Sequence, residues 1–183
     1  MRLANAKSAV YSFLVILVSG CFTVDLAQRT IDDPVNGHYR NIHLDVSLSN
    51  INDTKSVTNS FVIALEKRGL NVIQTRQQSD SMPMSGPGAA LLKIQELDQQ
   101  TETVVVRRSY GRASLTMMRG RELREKPVIT LRATLSDIQS GHAVFQADYV
   151  TRGPWYQDSS SIVAALANTL TKQLEQEGLI ATK

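Results

Sequence analysis

The hydrophobic pattern of the first half of the chain changes from a period of two to a period of three to four. Apolar and polar residues alternate over residues 42–48, which predicts a strand with one buried face. Apolar positions then recur three or four apart, which predicts a helix that begins at Asp53 or Thr54 and ends before Gly69. Its buried positions are expected to be Val57, Phe61, Ala64 and Leu65. Residues 70–75 follow as a strand, so a right-handed crossover between parallel strands is expected.

The second half of the chain predicts a meander of strands closed by a helix. Strand-like stretches cover residues 89–98 and 103–110, and a hairpin is expected from residues 129–136 and 143–149. A helix over residues 158–177 has apolar residues four apart, a cap at Asp158 or Ser159 and a stop at Gly178. Residues 77–88 contain two prolines and two glycines and predict a mobile loop. The fold class is α/β (α+β), a mixed sheet with two principal helices packed mainly on one face.

The N-terminus has the pattern of a bacterial lipoprotein leader. Arg2 and Lys7 are the only charges among the first twenty residues, and the uncharged run over residues 9–18 is too short to span a bilayer. The sequence Val18-Ser19-Gly20-Cys21 resembles a lipobox, which implies cleavage before Cys21 and acylation of its thiol. We therefore expect a signal peptide over residues 1–20, an acylated cysteine and tether over residues 21–41, and a periplasmic domain over residues 42–183.

Composition narrows the function classes once the leader is set aside. The whole chain has 20 basic and 17 acidic side chains, but without the leader the balance is 18 to 17, a net charge of +1 that gives no support for nucleic-acid binding. Cys21 is the only cysteine, so no disulfide is expected. Phe22 stands where an aspartate would retain a lipoprotein in the inner membrane, which implies an outer-membrane location facing the periplasm.

Motifs for catalysis and cofactor binding are missing from the sequence. The three histidines, His38, His43 and His142, do not have the neighbours or spacing of a metal site. There is no nucleophile elbow, phosphate-binding loop or dinucleotide fingerprint. We expect no catalytic residue, no metal and no cofactor, and therefore a protein that is not an enzyme.

An arginine-rich segment over residues 107–126 is the first candidate site. It has seven basic side chains against Glu122 and Glu125, a net charge of +5 in twenty residues. Its arginines are Arg107, Arg108, Arg112, Arg119, Arg121 and Arg124. Guanidinium groups bind carboxylates and phosphates well, so a shared face would fit an anionic partner such as an acidic polysaccharide. The alternative is a solvated hairpin whose arginines point apart.

Trp155 and Tyr156 form the second candidate site. They lie between a predicted strand and the last helix, and Trp155 is the only tryptophan. Aromatic residues with a polar group are typical of membrane interfaces and protein contacts, so a membrane or subunit contact is expected. The alternative is a hydrophobic staple that packs back on the helix.

The order of elements resembles that of a family of outer-membrane lipoproteins, the CsgG, PelC and LpoB type. The likeness rests on the lipobox, the first strand and helix, and a hairpin in which Asp137, Gly141 and Phe145 occupy the family's aspartate, turn and aromatic positions. The resemblance implies a non-enzymatic component of an export or assembly machine for polysaccharide or curli. It also implies outer-membrane lipid as a partner through Cys21, and further copies of the chain or other envelope proteins as partners.

Other functions remain open at this stage. One is a monomeric regulator or activator that reaches through its tether toward a peptidoglycan synthase in the periplasm. Another is an envelope adaptor of unassigned role, and the weakest is a cell-wall hydrolase.

Overall fold

The computed structural model describes residues 22–31, 38–49, 51, 54–75, 88–107, 121–154 and 158–180. These residues form six strands and two helices. They are β1 (Thr23–Ile31), β2 (Asn41–Ser47), α1 (Thr54–Glu66), β3 (Asn71–Gln74), β4 (Ala89–Arg107), β5 (Arg121–Asp137), β6 (Ala143–Arg152) and α2 (Ser159–Gln176). The predicted loop over residues 77–88 lies outside the described residues except for Gly88.

The described strands form one mixed sheet in the order β1-β6-β5-β4-β2-β3. β2 pairs in parallel with both β3 and β4, and the remaining neighbours are antiparallel. The predicted parallel arrangement of the first two strands around a helix is confirmed. So is the predicted hairpin, since β5 and β6 are adjacent and Gly141 takes a φ of 71° in the turn between them.

The core lies between one face of the sheet and the two helices, as predicted. The register places Leu44, Leu92, Leu135 and Phe145 side by side across four strands, and each is at most 2% exposed. Both helices bury one apolar side in the same cluster. An ion pair of 2.8 Å between Arg68 and Glu175 joins the two helices at the surface. No described segment covers the opposite face of the sheet, which is polar.

The predicted helix ends agree with the structure wherever it describes them. The Asp158 carboxylate accepts a hydrogen bond of 2.8 Å from the backbone of Ser161 at the start of α2. Gly69 and Gly178 have φ angles of 82° and 68°, the left-handed conformation that ends a helix and that glycine adopts without strain. Asp53 lies outside the described residues, and Thr54 is the first residue of α1.

The prediction that residues 21–41 form a tether is wrong for residues 23–31. These residues form β1, which pairs antiparallel with β6 along its whole length. β1 is an edge strand that is mostly exposed on both faces, and a bulge between Leu26 and Gln28 interrupts its alternation. Because the apolar period is weak, the sequence resembles a linker there. The domain begins at Thr23 rather than at residue 42.

The central hairpin is also longer than the pattern predicted. β4 is continuous from Ala89 to Arg107, and β5 begins at Arg121, eight residues before the first alternating apolar residue, Ile129. The extra pairs have few buried side chains, so their sequence lacks the two-residue apolar period. Among the described residues, neither helix has the length and apolar character needed to cross a membrane.

Candidate functional site

One end of the sheet brings together the segments that the sequence singled out. Across four strands the register aligns Thr23, Arg152, Val128 and Gln100 in a single row, which we call the end row. Among the described strands, β4 and β5 are the ones that continue beyond the end row. An ion pair of 2.5 Å between Arg152 and Asp25 fastens β1 to β6 close to this row.

The lipobox cysteine directly precedes this end of the sheet. Cys21 lies outside the described residues, but only Phe22 separates it from Thr23 in the end row. Phe22 is partly buried and packs against the hydrophobic core. The chain is therefore tied to the domain within one residue of Cys21.

The described residues that flank the Trp155-Tyr156 segment in the sequence lie at the same end. Trp155 and Tyr156 themselves lie outside the described residues, which stop at Pro154 and resume at Asp158. After Arg152 in the end row the chain passes over α2 at Gly153, where an added Cβ would lie 2.3 Å from the side chain of Ile162. Asp158 then caps α2. Gly153 and Asp158, which lie on either side of Trp155 and Tyr156 in the sequence, are therefore both at the end of the sheet where the end row lies.

Electrostatic contacts fix the start of α2 at this end. Hydrogen bonds from Ser161 hold the pKa of the Asp158 carboxyl below its usual value. Its negative charge lies where the helix dipole favours it. A hydrogen bond of 3.4 Å from the Gln99 amide to the Ser159 hydroxyl joins the helix start to β4 beside the end row.

The continuation of β4 and β5 beyond the end row is a two-stranded ribbon that we call the arm. It consists of residues 101–107 and 121–127, paired one to one with Arg107 opposite Arg121 at its far end. At about 3.4 Å per residue, seven pairs extend roughly 24 Å past the end row. Near the far end Val105 and Leu123 are directly opposite each other, and they are 55% and 68% exposed.

Arg124 is the arginine of the arm whose side chain the structure describes. Alternation from the buried Ile129 places Leu123 and its partner Val105 on the side of the sheet that faces the helices. Arg124 belongs to the opposite side, where it forms an ion pair with Glu122. The expectation of a surface for an anionic partner over residues 107–126 stays a prediction.

The remaining arginines, Arg108, Arg112 and Arg119, lie outside the described residues. They belong to the connection between the two strands of the arm. Arg107 and Arg121 pair through their backbones at the far end of the arm, and their side chains lie outside the described part of the structure.

The aspartate of the family pattern has a structural environment at the other end of the sheet. Asp137 is fully buried, and its carboxylate accepts hydrogen bonds from the Tyr39 hydroxyl at 3.1 Å and from the backbone of Ser140 at 2.7 Å. Burial, together with the bond to Asp137, raises the pKa of Tyr39 to about 12. These contacts close the β5–β6 turn onto the chain before β2, so Asp137 stabilises the fold.

An ion pair between Arg132 and Asp148 lies on the open face of the sheet. The Arg132 guanidinium donates two hydrogen bonds to the Asp148 carboxylate, of 2.7 and 2.8 Å. They hold the pKa of Asp148 below its usual value. In the part of the chain that the structure describes, no group of three or more histidine, cysteine, aspartate or glutamate residues is arranged to hold a metal ion.

The comparisons with known proteins depend on structure alone. No protein-family model matches the sequence, and no curated protein matches it. A solved PelC dodecamer from Paraburkholderia phytofirmans is similar to the chain, with a TM-score of 0.51 at 15% identity over 88% of this chain and 100% of the PelC chain. A second PelC dodecamer, a single-residue variant, has a TM-score of 0.50 at 15% identity over 87% and 98% of the two chains. The chain has the fold of PelC.

Another solved structure is more distant. The lipoprotein GNA1162 from Neisseria meningitidis has a TM-score of 0.42 at 14% identity over 74% of this chain and 98% of that one. At the level of the fold, the resemblance to PelC that the sequence pattern indicated is confirmed.

Sequence reasoning found the individual segments but not their meeting point. Cys21 and Trp155 are more than a hundred residues apart in the sequence. β1, which places Thr23 opposite Arg152 in the end row, was interpreted as a linker. The one available signal was the short run of β-branched and apolar residues in TVDLAQRTI.

Proposed function

We propose that this chain is a non-enzymatic lipoprotein of the bacterial outer membrane, anchored through Cys21 and acting as a ring-forming component of an envelope export machine. In this proposal the end row faces the periplasmic surface of the membrane. The exported substrate is a polysaccharide or a curli-type protein.

The observation that carries the proposal is the convergence at the end row. The described residues there include Phe22, which follows Cys21, the start of the arm, and Gly153 and Asp158, which lie on either side of Trp155 and Tyr156 in the sequence. An acylated cysteine there would set this end against lipid, since buried acyl chains hold a protein at a membrane. A tryptophan-tyrosine pair is suited to the interface at the same level. Support for a membrane-facing end therefore comes from both segments.

The proposed ring rests on the shared fold. The two similar PelC structures are dodecamers, and each is matched over nearly its entire chain. An assembly of identical subunits would place twelve or a similar number of end rows against one membrane, which multiplies the weak contacts of each Trp155-Tyr156 segment.

The alternative function, a regulator that reaches a peptidoglycan synthase, depends on a long tether. The structure uses nine of the expected tether residues in β1 and leaves one residue between Cys21 and the sheet. A domain held that closely has a short reach, so the export component is favoured over the regulator.

The proposal is tested by the mass and the attachment of the full chain. The chain is expressed with its leader, extracted in detergent, and its molar mass is measured by light scattering across a range of concentrations. We expect a closed oligomer and a mass at the N-terminus that corresponds to an acylated Cys21. Cys21→Ser is the matched control and should carry no acyl group. A strict monomer at every concentration would contradict the ring, and an unmodified N-terminus would contradict the anchor.

A further inference from the structure

We infer that β1 is a strap that detaches from β6 while the rest of the domain stays folded, and that detachment changes a short link to the membrane into a long one. The inference rests on the proposed anchor at Cys21 and goes beyond it. It gives the first strand a regulatory role, because the strand sets the distance between the domain and the bilayer.

The first argument is the small apolar area that β1 buries. Seven of its nine residues are exposed, and the two partly buried ones, Val24 and Ile31, lie near its ends. In β6, by contrast, Phe145, Ala147 and Tyr149 are each 1% exposed. Burial of apolar surface is the main source of strand stability, so the domain loses far less with β1 than it would with β6.

The second argument is that β6 is held in place by elements other than β1. On its other side β6 pairs with β5 over residues 128–136. Above it, the Tyr149 hydroxyl donates a hydrogen bond of 2.5 Å to the Gln173 side chain in α2. A domain without β1 therefore keeps five of its six described strands and both helices.

The third argument concerns the contacts that fasten β1. Besides the backbone ladder, two described ion pairs hold it, Asp25 with Arg152 on the open face and Arg29 with Glu177 on the side of the helices. The Asp25 side chain is 61% exposed and that of Arg29 is 43% exposed. Ion pairs at such exposed positions contribute little stability, and salt screens them. A bulge also interrupts the ladder between β1 and β6.

Detachment changes the link between the lipid and the domain. With β1 in place, Phe22 alone separates Cys21 from the sheet. Phe22 packs against the core and leaves it together with the strand. The next buried residue among those described is then Tyr39, whose backbone donates a hydrogen bond of 2.9 Å to Leu179.

The detached link is long and starts from another part of the domain. Residues 22–38 form it, and at about 3.5 Å per residue they span at most roughly 60 Å. Tyr39 bonds to Asp137 at the end of the sheet opposite the end row. Detachment therefore both lengthens the link and frees the end row from the bilayer.

Amide hydrogen exchange of the acylated chain tests the detachment. The chain is reconstituted into vesicles of phosphatidylethanolamine and phosphatidylglycerol. We expect the amides of β1, and those amides of β6 that are bonded to β1, to exchange at least about tenfold faster than the β5 amides over residues 129–135. Added salt should increase this difference, because it screens both ion pairs. Equal exchange rates in β1 and β5 would overturn the inference, since β1 would then open only when the whole domain unfolds.

A variant without the two ion pairs tests what fastens the strap. Asp25→Asn with Arg29→Gln should accelerate the exchange of β1 several-fold and leave that of β5 unchanged. Arg68→Gln is the matched control, because it removes a partly exposed ion pair between the two helices and not one of β1. An equal acceleration of β1 in the control would mean a general loss of stability and would contradict the inference.

The change in distance is measured by energy transfer from the domain to the bilayer. Acylation consumes the thiol of Cys21, so Ile63→Cys adds a free thiol on the exposed side of α1 for a donor dye, and a headgroup-labelled lipid is the acceptor. We expect lower transfer at high salt, and lower transfer when both ion pairs of β1 are removed. Faster exchange of β1 with unchanged transfer would overturn the proposed change in distance.

The failure of this inference can be distinguished from the failure of the proposed function. A chain that does not float with the vesicles, or whose Cys21 carries no acyl group by mass spectrometry, contradicts the anchor. A chain that floats and is acylated, but whose β1 exchanges as slowly as β5, contradicts only the strap.

Discussion

The same two strands form the most buried and the most exposed parts of the described sheet. Over residues 89–95, β4 lies between β2 and β5, and β5 lies between β4 and β6 under the layer of helices, so Leu92, Ile94 and Leu135 are fully buried. In the arm the two strands have only each other, and Val105 and Leu123 are more than half exposed. Hydrogen-bond register alone therefore does not determine whether a strand contributes to the core.

The difference also separates two sources of strand stability. In the buried half, apolar side chains on one face provide the free energy that offsets the cost of ordering the chain. The arm has β-branched residues instead, with Glu102 opposite Lys126 in the register, and such pairs contribute little in water. We therefore expect substitutions in the two halves to differ greatly in their effect on unfolding.

The strongest expected effect comes from a pair of leucines in β5. Leu135→Ala removes a fully buried side chain from the core, and we expect the free energy of unfolding to fall by about 2 to 5 kcal/mol. Leu123→Ala, the same substitution in the arm, should change it by less than about 0.5 kcal/mol. Denaturant unfolding followed by circular dichroism measures both. A loss at Leu123 as large as that at Leu135 would mean that the arm belongs to the cooperative core.

A second substitution tests the packing just after the end row. Gly153→Ala places a Cβ 2.3 Å from the side chain of the buried Ile162, so β6 and α2 must move apart. We expect a loss of about 1 to 3 kcal/mol in the free energy of unfolding. Ile162→Val in the same chain removes one of the clashing atoms and should restore part of it. No recovery in the double variant would mean that the loss has another origin than this contact.

A third substitution tests the far end of the buried half. Tyr39→Phe removes the hydroxyl that donates to the buried Asp137 carboxylate and should lower the free energy of unfolding by about 1 to 2 kcal/mol. The pKa of Tyr39 is raised to about 12 from an ordinary value near 10. Its contribution is therefore fully present below pH 10 and is lost as the pH rises through about 12. The variant should show no such loss in that range, and thermal unfolding across alkaline pH would detect it.

The smallest expected effect concerns the cap of α2. Asp158→Ala should lower the free energy of unfolding by about 1 kcal/mol at neutral pH. Because the pKa of Asp158 is lowered in the folded state, the contribution is present above the unfolded value and is lost as the pH falls through the folded value. Unfolding curves of the two chains should therefore converge in acid, whereas Asp158→Asn should remain close to the parent chain at neutral pH. A difference that is constant with pH would contradict a charged cap.

The sequence allowed prediction of the elements that bury a regular stripe of side chains. The four buried positions of α1, the β5–β6 hairpin and the cap of α2 all follow from apolar periods and turn chemistry that are local in the chain. The helix-covered face of the sheet could be predicted for the same reason. Local pattern and final environment agree in these parts.

The edges of the sheet could not be predicted in this way. β1 and the arm gain their structure from pairing with distant strands, and neither buries enough on one face to leave a period in the sequence. The candidate site depends on these same parts. Its members were found one at a time, but their alignment at the end row is a property of register, which a single sequence does not display.

The pairing of β1 with β6 also has a consequence for the order in which the protein is made. Asp25 and Arg152 meet across 127 positions of sequence, so β1 cannot pair with β6 until the end of β6 has been synthesised. Contacts between such distant positions form late, since the chain must first be brought together. The residues around Phe22 therefore stay extended and accessible while the rest of the domain folds. This interval is when an enzyme that acts on Cys21 would need to reach it.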